Sequence, residues 1–348
     1  MDQPVHTASR TSPERTPVTV IMCTCQGARH VEAQLRSLLA QTWPVRIIVA
    51  DDASSDETVS RIRPWLRSGV DTLCVRAHNL GFVKNFEQTL RQAVEADAAY
   101  IALSDQDDDW HPDRIAAGMQ ALQVLEHEHG SQHPLLVHSD LCLIDEAGQP
   151  LHQSFLQFRR YRIRSEKSLS VIVGENGVMG NTILMNRALA GLALPFPENL
   201  HVHDYWLALL AELFGWRSLL PRPYVDYRLH SSNASNTAAS MRAGWRGCWQ
   251  RLRDSRVLSL DFKLPYKEDS RLPVLQFLLA DAQRFPALDP DQRRELTAFV
   301  RYLQFDQPRL ASLRYLLFSG VTRGSTLHRL RLCLATLLTR RYPRSPET

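Results

Sequence analysis

Several things are scarce in this chain of 348 residues. No run of about 18 apolar residues occurs, which argues against a transmembrane helix. The opening stretch, MDQPVHTASRTSPERTP, is polar throughout and lacks the apolar centre of a secretory signal. Six cysteines, at 23, 25, 74, 142, 248 and 333, show no CxxC spacing and are too few to staple a chain of this length. That excludes a cysteine-rich zinc site and a disulfide framework, and points to a reducing cytoplasm. Net charge is only +4, from 41 basic and 37 acidic residues, which excludes a dedicated nucleic-acid binder. With 44% hydrophobic and 22% charged residues the composition is that of a globular protein with a sizeable core, long enough for about two domains or for one with an appendage.

Residues 1–16 read as a disordered leader, rich in Ser, Thr, Pro and charge. From Pro17 onward short apolar runs alternate with helical patterns. Strands are predicted at Val18 to Cys23, Val45 to Ala50, Asp71 to Arg76, Tyr100 to Leu103 and Leu135 to Ile144, and a closing strand at Tyr224 to His230. Helices are predicted at about Val31 to Leu39, Glu57 to Leu66, Asn85 to Glu95 and His203 to Phe214. Such alternation implies an α/β fold, a mostly parallel sheet covered by helices, in which ligands sit beyond the carboxyl ends of the strands. Three strands end in polar clusters, at Thr24, Asp51-Asp52 and Asp105–Asp107, so the three are expected to share one rim. A catalytic domain over 17–236 and a helical, basic region over 237–348 complete the expected organisation.

The densest chemistry is Tyr100-Ile-Ala-Leu-Ser-Asp105-Gln-Asp107-Asp108-Asp109-Trp110, with four carboxylates within five residues at a strand end. Held together, they repel unless a cation compensates. Side chains alternate along an extended chain, so Asp105 and Asp107 point the same way, an arrangement suited to oxygen ligation of Mg²⁺ or Mn²⁺ with nucleotide phosphates completing the shell. A solvated acidic loop is the plainer alternative.

Val20-Ile-Met-Cys-Thr24, Val49-Ala-Asp51-Asp52-Ala-Ser54-Ser-Asp56, Asn79-Leu-Gly81 and Asp105-Gln-Asp107-Asp108 resemble, in order and spacing, the family 2 glycosyltransferases, across residues 17–235. Gly180-Asn181-Thr182, His203-Asp204-Tyr205-Trp206 and Tyr227-Arg-Leu-His230 are similar to late signatures of the rhamnosyltransferase-like bacterial branch. The resemblance implies a GT-A nucleotide-diphospho-sugar fold and a single inverting displacement. It implies that Asp52, Thr24 and Ser54 meet base or ribose, that Asn79, Gly81 and Lys84 border the nucleotide and its phosphates, and that Asn181 belongs to the sugar site. It further implies Asp107, Asp105 and His230 at the metal, Arg228 at the leaving group and Asp204 as general base. Plainer roles stand beside these: Asp52 or Ser54 capping the next helix, Lys84 simply exposed, Asp204 capping its helix, Trp206 filling the core instead of stacking on a sugar, and His230 being structural.

The donor implied is dTDP-rhamnose or a UDP-hexose, and the acceptor a hydroxyl, saccharide or lipid-linked, in surface polysaccharide or lipopolysaccharide synthesis. Two other functions compete. A haloacid-dehalogenase-type phosphatase also places Asp-x-Asp after a strand, but here Asp108 follows the second Asp and the strand lies near residue 100. A non-catalytic nucleotide-sugar scaffold would lack the base and the metal ligands. From Pro308 to Thr348 eight Arg (309, 314, 323, 329, 331, 340, 341, 344) face one acid, Glu347. Leu313 to Phe318 and Leu327 to Leu338 interleave Arg with Leu at helical spacing, a pattern for peripheral contact with the inner face of the cytoplasmic membrane, for a partner, or for the catalytic domain itself.

Overall fold

Strand β1 (Val18–Thr24) lies centrally because its β-branched run is apolar on both faces. Its side chains alternate. Val20 and Met22 join one hydrophobic cluster with α1 (Val31–Leu39) and α4 (Arg114–His129), while Ile21 joins a second with α3 (Phe82–Glu95), α7 (Arg187–Ala193) and α8 (His203–Phe214). A computed structural model describes residues 15–230, 271–281, 283–304, 307–319, 321 and 333. Beside β1 run β2 (Val45–Asp51) and β4 (Tyr100–Ser104), both parallel to it, with β3 (Thr72–Val75) at the edge.

The seven-stranded sheet is completed by β6 (Leu135–His138), β9 (Leu184–Asn186) and β10 (Trp216–Leu219), in the order β10-β6-β9-β4-β1-β2-β3. Only β9 runs antiparallel to its neighbours. The fold is therefore the expected mixed, mostly parallel α/β sheet flanked by helices. A second sheet contains β5 (Asp109–Trp110), β7 (Cys142–Ile144), β8 (Pro150–His152) and β11 (Val225–Arg228), and places the Tyr227-Arg228 segment beside the acidic loop that follows β4. Shorter helices α2 (Thr58–Ile62), α5 (Phe155–Arg159) and α6 (Leu169–Glu175) fill the connections.

Three sequence expectations need adjustment. Leu135 to Ile144 is two strands in different sheets. Asp140 breaks the run, its carboxylate accepting from the Leu141 and Leu156 backbone N–H groups (2.8 and 3.0 Å) and from the Ser154 hydroxyl (2.5 Å). The helix expected from Asn85 begins earlier, at Phe82, because Gly81 (φ +81°) turns the chain immediately before it. In the expected leader, residues 1–14 lie outside the described residues, whereas Thr16 accepts a hydrogen bond from the Trp43 indole (3.0 Å).

Toward the C-terminus, α9 (Arg271–Ala280) and α10 (Pro290–Gln304) pack on α6 and α8, and α11 (Arg309–Phe318) packs on α10. Leu275, Leu296 and Phe299 share a core with Trp206 and Leu207, and Gln292 donates to the Leu213 carbonyl (3.0 Å). Leu313 to Phe318 thus belongs to a docked helix; Leu327 to Leu338, Cys333 apart, lies outside the described residues.

Trp206 takes the core role of its two. It is fully buried, its indole N–H satisfied by the Ala193 carbonyl (3.0 Å), so it offers no face to a sugar. Trp206→Ala is expected to cost about 3–5 kcal/mol, read as a lower midpoint in urea or heat denaturation.

Candidate active site

The carboxyl ends of β1, β2 and β4 meet at a cleft of about 330 Å³, bordered by Thr24, Asp52, Asn79, Gly81, Asp105 and Asp107. Residues not singled out by sequence also line it: Cys23, Cys25, Phe82, Asn85, Phe86, Gln106 and Tyr227. Gln106 is the most informative of these. Its side chain pairs both polar groups of Cys25, accepting from the N–H (2.9 Å) and donating to the carbonyl (3.0 Å), so the acidic loop is tied to the end of β1. A Cβ on Gly27 would lie 2.2 Å from the Gln106 Oε1, which explains the glycine beside it.

At the end of β2 the two adjacent aspartates do different work. Asp51 is fully buried and accepts from the Thr24 hydroxyl (2.9 Å), the Ser54 N–H (2.8 Å) and the Ser54 hydroxyl (2.6 Å). Thr24 and Ser54 thereby spend their protons on Asp51. Asp52 borders the cleft and grips the following turn, its two oxygens accepting from the Leu80 and Gly81 N–H groups (2.7 and 2.9 Å). Since an ionised carboxylate offers about four lone-pair sites, acceptor capacity remains for a nucleobase imide. Neither Asp52 nor Ser54 caps α2, which begins at Thr58 after Glu57. Lys84 sits half exposed, with its ammonium on Glu87 (2.8 Å).

The four clustered aspartates divide. Asp105 and Asp107 border the cleft. Burial, then the charges of Asp107 and Asp204, push the Asp105 carboxyl up to about 7. Asp107 meets the His230 imidazole at 2.7 Å, and His230 stacks on His30 with ring centroids 5.2 Å apart. Asp108 turns inward, where burial pushes its carboxyl well above the usual range; it accepts from the Asn181 amide at 2.5 Å. Asp109 is exposed, next to Asp226. Asn181 is thus buried and occupied by Asp108, and its carbonyl accepts from the Arg114 guanidinium (2.7 Å), itself buried against Trp110. Arg228 is buried against the acidic loop, its guanidinium directed to the carbonyls of Asp107 (3.3 Å) and Glu146 (3.2 Å).

Asp204 lies in the first turn of α8, which starts at His203 after Val202, so it is not the cap. Its carboxyl is pushed up to about 7 by burial, against the backbone N–H groups of Tyr205 and Gly180 and the Asn176 amide (3.0 Å), which favour the charged form. Its charge reaches Asp105, so the base candidate and the acidic loop face one electrostatic environment.

A divalent cation fits Asp105 and Asp107. Among the described residues nothing hydrogen-bonds the Asp105 carboxylate, and the charge of Asp107 beside it raises it further. Hard carboxylate oxygens are the donors that Mg²⁺ and Mn²⁺ take. No group of three or more His, Cys, Asp or Glu side chains among the described residues forms a ready metal cage.

Residues 19–131 match the family model of Glycosyl transferase family 2. This segment is a family 2 glycosyltransferase domain, and the chain is a glycosyltransferase. The match spans the rim from Thr24 to Asp107 and sets aside the phosphatase reading; Asn181, Asp204, Arg228 and His230 lie beyond it. The dTDP-rhamnosyl transferase RfbG of Shigella flexneri is 24% identical over 233 residues, 65% of this chain and 77% of that protein. Uncharacterized protein Rv1520 of Mycobacterium tuberculosis is 22% identical over 231 residues, 65% of this chain and 62% of that protein. Among solved structures, TarS 1-349 of S. aureus in complex with UDP-GlcNAc has a TM-score of 0.48 at 16% identity, over 91% of this chain and 90% of that one. The mannosyltransferase PcManGT from Pyrobaculum calidifontis in complex with GDP-Man and Mn²⁺ has a TM-score of 0.47 at 18% identity, over 93% of this chain and 80% of that one.

Asp51→Asn turns an amide toward three donors that the carboxylate now satisfies. It is expected to lower stability by about 1–3 kcal/mol, measured by urea unfolding, and to weaken the rim that carries Thr24 and Ser54.

Proposed function

We propose that this chain transfers a sugar, with inversion, from a nucleoside-diphosphate donor held in the cleft to an acceptor hydroxyl activated by Asp204. The observation that carries the reading is the pairing of two unlike carboxylate sites: Asp105 and Asp107 on the strand rim, and Asp204 at the start of α8, within electrostatic reach of Asp105. dTDP-rhamnose is the first donor to test, supported by the similarity to a dTDP-rhamnosyl transferase, with UDP-hexoses next. The acceptor class is a saccharide or lipid-linked saccharide of a surface polysaccharide or lipopolysaccharide precursor, handled in the cytoplasm.

In this mechanism Asp52 accepts the imide N–H of a uracil or thymine ring, and the Asn79–Gly81 turn that it holds shapes the wall beside the nucleotide. Asp107 and Asp105, with His230 beside them, would hold Mg²⁺ or Mn²⁺, which when bound neutralises charge on the departing diphosphate. Asp204 accepts the acceptor's hydroxyl proton as that oxygen bonds to the anomeric carbon and the bond from that carbon to the diphosphate oxygen breaks. Arg228 fixes the acidic loop by its carbonyls and adds positive potential beside the leaving group.

Asp204→Asn is expected to lower transfer by about 10²–10⁴-fold while nucleoside diphosphate binding is kept, measured by product formation beside calorimetry. Transfer at near wild-type rate would remove the base assignment. The sign of the pH dependence follows from the carboxyl held near 7: the base works only when ionised. Rate should therefore climb about tenfold per pH unit up to about 7 and level off above it. Exhaustive chelation should abolish transfer and added Mn²⁺ restore it; an enzyme indifferent to chelation would exclude the cation from the acidic loop.

A further inference from the structure

Helix α11 has a buried face and an exposed one, and both are apolar. Ser312 and Leu316 are buried, and Tyr315 packs beside Tyr302, with ring centroids 5.5 Å apart. On the outer side stand Leu310 (78% exposed), Ala311, Arg314, Leu317 (47%) and Phe318 (81%). Their spacing puts them on one stripe along the helix, so these are not scattered exposures but a continuous apolar strip with an arginine at its centre.

Charge indicates what covers that strip. From Pro308 to the end the sequence contains eight arginines and a single acid, Glu347, although the whole chain is nearly balanced at 41 basic and 37 acidic residues. An apolar protein partner would need only the strip. Arg314 at the centre of the strip, in a part of the sequence rich in arginine and nearly free of acids, suits a surface that is apolar beneath and negative on top, as in a bilayer containing anionic lipid. We propose that this face of α11 docks on an anionic membrane surface, with Leu310, Leu317 and Phe318 entering the headgroup boundary and Arg314 meeting lipid phosphates. The proposal is independent of the cleft's chemistry.

The test uses the full-length protein, with no sugar present, so that its outcome and that of the transferase reading stay separate. Vesicles of equal parts phosphatidylglycerol and phosphatidylcholine are sedimented beside vesicles of phosphatidylcholine alone. Wild-type protein is expected to sediment with the anionic vesicles only, and to be released as salt is raised. The double variant Leu317→Glu, Phe318→Glu should lose about tenfold or more of that binding. A second variant, Leu317→Ala with Phe318→Ala, should bind weakly at an unchanged melting temperature, which separates lost docking from lost folding. Wild-type protein that ignores anionic vesicles, or variants that bind as well as wild type, would overturn the proposal. So would a wild-type dimer on size exclusion that the variants abolish without any effect on vesicle binding, since the strip would then belong to a second copy.

Discussion

Compensation of negative charge at the sheet's rim governs the rest of the site. The carboxylates gathered there fall into two kinds. Asp51 and Asp52 are hydrogen-bonded by the protein's own donors: hydroxyls and a backbone N–H for the first, two backbone N–H groups of one turn for the second. Such hydrogen bonds fix both side chains and make these residues struts. Asp105 and Asp204 are the opposite case, each held near 7: burial and then the charges of Asp107 and Asp204 raise the first, and burial outweighs the donors of the second. What the fold leaves uncompensated is what a cation and a substrate can complete, so the same rim combines a rigid frame with a reactive interior.

Much of this was legible in the sequence because several elements follow simple periods. β1 and β2 are apolar runs that stop at polar residues, and α1 and α8 begin and end where the pattern changes. The approach of His230 to Asp107 was expected only through the family resemblance, since 123 residues separate them and no local pattern joins them. Other features had no sequence signal. Which of two neighbouring aspartates turns inward depends on the register of β2 against its neighbours, which places Asp51, not Asp52, under the Thr24 and Ser54 hydroxyls. Gln106 reads as a spacer between two acids, yet its amide repeats the hydrogen-bond pattern of a neighbouring strand. Likewise the Asp140 carboxylate divides an apolar run that periodicity alone leaves continuous.

The C-terminal helices alter how the catalytic domain is stabilised. α8 carries Asp204 at its first turn, and Tyr205 to Leu213 of that helix are all buried. A helix so apolar must be enclosed on every side. The sheet covers part of it, and Leu275, Leu296, Phe299 and Phe285 complete the cluster around Trp206 and Leu207. Asp204 is thus held at the tip of a helix whose seating depends on residues well past the family match. Mutations in α9 or α10 that loosen this packing would shift Asp204 and lessen the burial that raises its carboxyl.

A second link crosses the molecule at the acidic loop itself. Asp108 sits in the same run as the cleft-facing Asp105 and Asp107 but points the other way, onto Asn181. Arg114 closes the arrangement from α4, donating to the Asn181 carbonyl while its guanidinium lies 3.2 Å from the Trp110 ring centroid. Burial lowers Arg114 to about 9, against the charge of Asp108. Asn181 joins the two, so losing its amide would leave the Asp108 carboxyl buried without that donor. The Gly180–Thr182 bend, which also supplies the Gly180 N–H to Asp204, is therefore locked to the loop that carries Asp105 and Asp107. One connection through Asn181 and Gly180 sets the spacing between the rim carboxylates and Asp204, so that spacing is built into the folded core.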